Sequence, residues 1–410
     1  MKRTLAFGGL VATAGLLAAG LAVPAQAASD VASTPLAANK IAAQNIAAFW
    51  AGEKAANLIQ ATPYSVETQV PAKHVSTGGP AADSKPGVVP AIGDEKKTTA
   101  KSKNVNLPKT TGKVFFKGAD GQPHWCTATS VQSSYKNMVA TAGHCVYDTK
   151  SNKATLDSWV FIPGYYQGKT PFGIYVGKQA FTHYDFDVYE DGDRDYAFVT
   201  VYNGLKFPAG GFADFKGMKY EEFKQYAGFQ EVDEATYKAY EDADTKKTGR
   251  GYYTTTDEKG AKHYFVFKWT DAGRLGDNVG GQGLAYNQKL GKPVFVFGYP
   301  SGSHPDGNYA FSGKTLKWSY GKTFAATAPA IKGEELQGVK SSFTGEGSLG
   351  SAWLLNYSNT RRVGYLNGVT IAVADRDGNK RIDTSLSPYF DGETYGVYSA
   401  AKNVWSGSIA

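Results

Sequence analysis

The two cysteines of this 410-residue chain flank the stretch that most constrains its fold. Cys126 lies in an apolar, strand-like run that reaches Val131, a short polar turn follows, and a second apolar run ends at His144 and Cys145. In a secreted chain, a Cys126–Cys145 disulfide would close a loop of about twenty residues and stabilise the fold by roughly 3 kcal/mol, largely by restricting the unfolded ensemble. The same disulfide would hold the imidazole of His144 in place.

The string Thr141-Ala142-Gly143-His144-Cys145 resembles the histidine motif of trypsin-like serine peptidases. The preceding residues, from 112 to 128, resemble secreted bacterial members of that family, especially those of actinomycetes. The resemblance implies that His144 acts as a general base in a catalytic triad. A structural histidine beside a structural disulfide is the alternative.

The N-terminus has the three parts of a signal peptide. Lys2 and Arg3 precede an apolar stretch rich in Ala, Gly and Leu, and Ala25-Gln26-Ala27 offers a small-x-small cleavage site. We therefore expect residues 1–27 to be removed and the protein to be secreted to the extracellular space. No later run approaches about 18 apolar residues, so no membrane association is expected after cleavage.

Residues 28–107 differ in composition from the rest of the chain. They are rich in Ala, Lys, Pro, Ser and Thr, carry one helical patch at 41–59, and have the composition of a flexible linker at 80–103. This region resembles the pro-region that precedes the catalytic domain of bacterial peptidases. A surface helix followed by a disordered tail is the alternative.

From residue 112 onward, short runs rich in Val, Phe, Tyr, Ile and Thr alternate with Gly, Pro, Asn and Asp turns. Such spacing predicts an all-β sandwich or a pair of barrels. The resemblance implies two packed six-stranded β-barrels within 108–410, a C-terminal helix near 396–405, and a site in the cleft between the barrels. A Tyr-, Lys- and Glu-rich insertion at about 210–280 is predicted to be helical at 220–243 and a hairpin at 251–269.

The string Asp193-Arg194-Asp195-Tyr196-Ala197 precedes an apolar run and resembles the aspartate motif of the same family. The resemblance implies that Asp195 accepts the imidazole N–H of His144, fixes its tautomer and stabilises the imidazolium. An aspartate that caps a turn before a strand is the alternative.

The candidate nucleophile loop at 343–353 fits the family pattern in two registers. Counted forward from Thr344, Ser348 occupies the nucleophile position. Counted back from Trp353 without a gap, Leu349 occupies it, and that register contains no catalytic serine.

Glycine positions bear on this choice. An oxyanion hole uses the backbone N–H groups of the nucleophile and of the residue two before it, and glycine suits such a turn. The Leu349 register places Gly347 there and Gly350 next, whereas the other register places Glu346 there. The local pattern therefore favours Leu349, while the presence of the histidine and aspartate motifs favours a serine.

Residues Asp375, Asp377, Asn379 and Asp383 place oxygen ligands at alternate positions, as a calcium loop does. The glycine of that string falls too early, and Leu386 stands where an EF-hand has its bidentate Glu. A tight turn between two strands explains the string without metal. We therefore predict no cofactor, with calcium as a weak candidate.

Two functions follow from these motifs. The first is a secreted serine endopeptidase that hydrolyses peptide bonds through His144, Asp195 and Ser348. The second is a catalytically inactive homologue, with Leu349 at the nucleophile position, that binds a peptide or protein outside the cell. In both cases we expect a monomer, and we expect its partner to be a peptide or protein. The net charge of +7 without a Lys/Arg stripe makes nucleic acid an unexpected partner.

Overall fold

The computed structural model describes residues 30–64, 69–70, 75, 78–93, 105–149, 156–207, 212, 215, 217–226, 228–245 and 248–410. The predicted signal peptide at 1–27 lies outside the described residues. Among the described helices, none combines the length and apolar character that a bilayer crossing requires.

Short β-strands supply most of the regular structure, as the β-branched and aromatic runs predict. The strands are β1 (Val31–Pro35), β2 (Thr62–Pro63), β3 (Gln69–Val70), β4 (Gly87–Val89), β5 (Thr111–Lys117), β6 (Pro123–Val131), β7 (Met138–Thr141), β8 (Asp157–Pro163), β9 (Tyr175–His183), β10 (Ala197–Val201), β11 (Gly204–Lys206), β12 (Phe229–Val232), β13 (Tyr252–Thr256), β14 (Lys262–Phe267), β15 (Thr270–Gly273), β16 (Gly283–Tyr286), β17 (Pro293–Gly298), β18 (Ser301–Gly302), β19 (Phe311–Ser312), β20 (Lys317–Lys322), β21 (Phe324–Ala328), β22 (Gly333–Lys340), β23 (Ala352–Ser358), β24 (Val363–Val369), β25 (Ala372–Ala374) and β26 (Thr384–Pro388). The α-helices are α1 (Lys40–Gln60), α2 (Tyr184–Tyr189), α3 (Tyr220–Gln225), α4 (Glu234–Ala243), α5 (Leu275–Val279) and α6 (Gly392–Ala401). Short 3₁₀ helices lie at Gly143–Cys145, Gly192–Arg194 and Pro329–Ile331.

The first half of the fold contains a closed antiparallel barrel. Strands β9, β10, β7, β6, β5 and β8 pair in that order, and the pairing of β8 with β9 closes the ring. Alternate residues of a strand point to opposite faces, so Val114 and Phe116 of β5 join the core inside the barrel. Closure satisfies the hydrogen-bonding groups that an open sheet would leave at its edges.

The second half contains two sheets. A six-stranded sheet runs β20-β17-β23-β24-β16-β4, and a five-stranded sheet runs β21-β22-β26-β25-β3. The sheets meet where β20 contacts β22 and where β24 contacts β26. One hydrophobic core extends from Phe198 in the first half to Leu336 and Leu366 in the second. The predicted mostly-β fold with a C-terminal helix is confirmed, and it contains one closed six-stranded barrel together with these further sheets.

The described residues of the 28–107 region are built into both halves. β1 pairs with β9 and β2 with β6, while β3 pairs with β25 and β4 with β16. Trp50 of α1 is fully buried, and its Nε1 donates to the carbonyl of Ser158 at 2.6 Å. The linker expected at 80–103 thus contains a strand, because Val89 finds a partner in β16. The domain boundary near residue 107 stays a prediction.

The insertion at 210–280 differs in part from its prediction. The helix expected over 220–243 is broken into α3 and α4, with β12 between them. β12 pairs with β14, and this tertiary pairing overrides the helical spacing of the segment. The expected hairpin forms from β13 and β14. The insertion packs on α1, where Asn45 Nδ2 donates to the carbonyl of Tyr240 at 2.8 Å.

The C-terminal helix α6 begins before the expected position. Its N-cap is Asp391, whose side chain accepts hydrogen bonds from the backbone N–H groups of Glu393 and Thr394. The helix packs on β9 and β10 of the closed barrel. It therefore lies next to the strand that follows the aspartate motif.

Candidate active site

Two neighbouring strands of the closed barrel bring the histidine and aspartate motifs together. His144 lies in a 3₁₀ helix after β7, and Asp195 lies between another 3₁₀ helix and β10. β7 and β10 are antiparallel, with Thr141 opposite Ala197. Because the end of β7 is beside the start of β10, residues that are 51 positions apart in sequence become neighbours.

Asp195 forms two hydrogen bonds with His144. Its Oδ2 accepts from the imidazole Nδ1, and its Oδ1 accepts from the backbone N–H at 2.9 Å. Asp195 is fully buried and His144 is 8% exposed. The carboxylate holds the Nδ1 proton and the ring orientation, so Nε2 is the basic nitrogen of the imidazole.

Sequence reasoning missed Phe186 of α2 as a member of this site. Its ring packs edge-on against the imidazole of His144, with 5.5 Å between the ring centroids. A Cβ on Gly143 would lie 2.5 Å from the same phenyl ring. This packing therefore requires the glycine of the histidine motif. In the sequence, that glycine was the feature that could have indicated a bulky side chain packed next to the motif.

The residues before Asp195 anchor its segment to the rest of the fold. The Asp193 carboxylate accepts hydrogen bonds of 2.8 and 2.9 Å from two consecutive backbone N–H groups of β22. Burial raises the pKa of Asp193 to about 6. The guanidinium of Arg194 forms an ion pair with Glu393 of α6. The position of Asp195 therefore depends on the second half and on the C-terminal helix.

The candidate nucleophile loop is tied to the strand that carries the first cysteine. The backbone N–H of Thr127 donates to the carbonyl of Leu349 at 2.9 Å, and its hydroxyl donates to the carbonyl of Gly347 at 2.9 Å. Cys126, one residue earlier, forms the predicted disulfide with Cys145, which is confirmed. The loop and His144 are therefore held by the same short stretch of β6.

The structure does not bring Ser348 into hydrogen-bond contact with His144. The Ser348 hydroxyl donates to the carbonyl of Thr344, within its own loop. The side chain is fully buried. In this arrangement the hydroxyl makes a hydrogen bond within its own loop. It therefore does not fill the catalytic role that the forward register would give it.

Leu349 lies between two glycines with left-handed backbone conformations. Gly347 has a φ of +77° and Gly350 a φ of +79°. A Cβ on Gly347 would lie 2.3 Å from the Trp125 ring, so both conformation and space require glycine there. Among the described residues, the backbone N–H groups of Gly347 and Leu349 have no hydrogen-bond acceptor. Two such donors, two residues apart, have the sequence spacing of the donors of an oxyanion hole.

The acidic string near the C-terminus forms the connection between β25 and β26. Single carboxylate oxygens of Asp375, Asp377 and Asp383 lie within 4.8 Å of one another. Backbone N–H groups of the loop donate to Asp375 and Asp377, and the Asn379 amide donates to Asp377 Oδ2 at 2.9 Å. The turn's own donors therefore occupy much of the carboxylate surface.

No protein-family model matches the chain, and no curated protein does. Among solved structures, the chain is similar to protease Anisep from Arthrobacter nicotinovorans, with 21% identity, a TM-score of 0.48, and coverage of 73% of this chain and 98% of that one. It is also similar to the thermostable serine protease AL20 from an extremophilic microorganism, with 21% identity, a TM-score of 0.45, and coverage of 72% and 98%. A Glu endopeptidase aligns with 14% identity, a TM-score of 0.43, and coverage of 74% and 96%. The fold assignment itself rests on the strand topology.

Proposed function

We propose that this protein is a secreted, non-catalytic homologue of trypsin-like serine peptidases that binds a peptide or protein segment in the cleft beside His144. The observation that carries the proposal is the position of Leu349. It lies between Gly347 and Gly350, and its own N–H and that of Gly347 each lack an acceptor among the described residues.

Serine peptidase chemistry needs a hydroxyl within hydrogen-bond reach of the basic nitrogen of the histidine. The side chain of Leu349 has no hydroxyl, and the hydroxyl of Ser348 donates to the Thr344 carbonyl. For Ser348 to reach His144, the loop would have to break that bond and shift by one residue. The same shift would replace Gly347 with Glu346 at the oxyanion position, where the left-handed conformation favours glycine.

Peptide binding does not require a nucleophile. The N–H groups of Gly347 and Leu349 can donate to a peptide carbonyl oxygen without any covalent step. Donors without a protein acceptor gain free energy from a hydrogen bond to such an oxygen. This supports a role in which a peptide is held and left intact.

A serine endopeptidase acting through Ser348 is the second candidate, and the intact pair of His144 and Asp195 favours it. In that mechanism His144 takes the proton of Ser348, the alkoxide attacks a peptide carbonyl, and water hydrolyses the acyl-enzyme. A protein that only binds peptides has no need for an aspartate that orients the imidazole. The loop rearrangement described above is the condition for this activity.

Labelling with a fluorophosphonate, followed by intact-mass measurement, tests the two functions against each other. The sample is the secreted protein after signal-peptide cleavage, with Ser348→Ala and His144→Ala variants measured alongside. We expect no adduct on the folded, disulfide-bonded wild type. A single adduct that disappears in both variants would establish Ser348 as a nucleophile and overturn the non-catalytic proposal.

The binding half of the proposal needs its own measurement. We expect the wild type to bind a subset of the peptides on an immobilised array. The same peptides, incubated with the protein in solution, should be recovered with unchanged mass. Recovery of cleaved peptides would contradict the proposal, as would the absence of any retained peptide.

A further inference from the structure

A cavity of about 1020 Å³ opens beside the closed barrel, at the C-terminal end of α1. This volume is at the upper end of the roughly 300–1,000 Å³ range of small-molecule pockets. Leu58, Ile59, Phe115 and Phe207 contribute apolar surface to its wall. None of the residues that line it is His144 or Leu349, so the cavity is separate from the candidate active site.

A buried lysine forms part of this wall. Lys113 of β5 is only 3% exposed, and it points to the opposite side of the strand from the barrel interior. Its Nζ lies over the Trp125 ring, 3.2 Å from the centroid. The rings of Tyr165 and Tyr299 lie 4.5 and 5.5 Å from the same nitrogen. Aromatic rings therefore surround the ammonium, and two of them, Trp125 and Tyr165, also line the cavity.

The Lys113 ammonium has no anionic partner within the described part of the chain. No ion pair and no hydrogen bond joins its Nζ to another described residue, and no described acidic side chain lines the cavity. Aromatic faces attract a cation, by about 2 kcal/mol when it is desolvated, but they do not replace the hydrogen bonds that water provided. Burial disfavours the charged form and lowers the pKa of Lys113 well below its ordinary value, whereas an anion bound beside Nζ would favour the ammonium again.

The other charges at the cavity have the same sign. Lys169 and Lys314 also line it, and both are exposed at the protein surface. A cavity with apolar walls, a buried ammonium and two further lysines is complementary to a ligand with one apolar part and one anionic group.

We propose that this cavity binds an apolar monocarboxylate, with the carboxylate paired to the ammonium of Lys113 and the hydrocarbon part against Leu58, Ile59 and Phe207. The carboxylate supplies the charge-assisted hydrogen bonds that Lys113 lacks among the described residues. Two sources provide this chemistry, a free alkyl carboxylate and the C-terminal residue of an apolar peptide. The binding does not depend on the nucleophile register, and it holds whether or not the protein cleaves peptides.

Isothermal titration calorimetry at neutral pH with paired probes tests the proposal. Decanoate is compared with decan-1-ol, and N-acetyl-leucyl-phenylalanine is compared with its C-terminal amide. The proteins are the wild type, Lys113→Met, which keeps the apolar stem and removes the charge, and Lys259→Met. Lys259 lies in the exposed turn between β13 and β14, away from the cavity lining, and serves as the matched control.

We expect at least one carboxylate to bind the wild type at least tenfold more tightly than its uncharged partner. Lys113→Met should lose at least tenfold in carboxylate affinity with little change for the uncharged probe, and Lys259→Met should behave as wild type. The carboxylate that binds more tightly identifies the source. Equal affinity of the acid and its uncharged partner, or the absence of saturable binding by every probe, would overturn the proposal.

A second variant pair keeps the test decisive if Lys113→Met does not fold. Ile59 is 64% exposed on the cavity wall, so its substitution does not disturb the core. Ile59→Glu places a like charge near the bound carboxylate, whereas Ile59→Gln has the same shape without the charge. We expect Ile59→Glu to weaken carboxylate binding several-fold relative to Ile59→Gln. Equal affinities in the two variants would contradict an anionic ligand.

Discussion

The backbone N–H of Thr127 donates to the carbonyl of Leu349 at 2.9 Å. This bond fixes the candidate nucleophile loop against β6, one residue from the disulfide that reaches the segment of His144. A shift of the loop by one residue would remove the bond. The Thr127–Leu349 contact therefore supports the proposed register, in which leucine occupies the nucleophile position.

Introducing a hydroxyl at residue 349 should create a nucleophile. We expect Leu349→Ser to react with a fluorophosphonate, because the proposed register assigns the N–H groups of residues 347 and 349 to the oxyanion position. Adding His144→Ala should abolish the reaction, since the base is removed. Leu354→Ser, at another buried leucine, is the control for nonspecific destabilisation. Absence of labelling on folded Leu349→Ser would show that the register is wrong.

Ser348 should matter for stability. Ser348→Ala removes the hydrogen bond to the carbonyl of Thr344 and leaves that acceptor buried. We expect a loss of about 1 kcal/mol in the free energy of unfolding, measured by urea denaturation. Ser342→Ala, at an exposed position of the neighbouring segment, should change little. Unchanged stability in Ser348→Ala would contradict the structural role of its hydroxyl.

The disulfide should contribute strongly to stability. Replacing Cys126 and Cys145 with alanine frees a loop with a sequence separation of 19 residues. We expect the free energy of unfolding to fall by roughly 3 kcal/mol, because the unfolded chain regains conformational freedom. Urea denaturation of the oxidised wild type and of the double variant measures this difference. Coincident unfolding curves would contradict it.

Asp193 should make stability depend on pH. Its pKa is about 6 in the folded protein against 3.8 for the free side chain, so the folded state holds the proton more tightly. The associated stability is fully present below about pH 4 and is lost as the pH rises through about 6, by an amount of about 2 to 3 kcal/mol. Asp193→Asn should remove this slope from urea denaturation series.

Asp242→Asn, at an exposed position of α4, is the matched control for the pH series. It should retain the slope of the wild type between pH 4 and 6. If Asp193→Asn and Asp242→Asn show the same pH dependence, Asp193 does not titrate in the folded protein as its burial implies.

Short sequence motifs predicted much of the fold, and they predicted the histidine and aspartate of the candidate site. The histidine and aspartate motifs each place a side chain next to a strand end, and the antiparallel pairing of β7 and β10 brings those ends together. The disulfide followed from the presence of only two cysteines. Each of these depends on a few consecutive residues, so the sequence carries them directly.

Other features depended on partners that are far away in sequence. The helix expected over 220–243 is divided because β12 pairs with β14, and Val89 lies in a strand because β16 is available. Phe186 was missed since nothing near it in sequence marks contact with an imidazole. No sequence pattern around Lys113 indicates a buried charge, and only the packing of Trp125, Tyr165 and Tyr299 around it revealed one.

The sequence by itself determined the β-rich fold class, the single disulfide, and the two candidate registers of the nucleophile loop. Only the tertiary structure placed the hydroxyl of Ser348 against Thr344 and the carbonyl of Leu349 against Thr127. The reason is physical: strand propensity and cysteine pairing are local or covalent properties. The direction of a hydroxyl in a glycine-rich loop depends on which distant backbone groups accept or donate its hydrogen bonds.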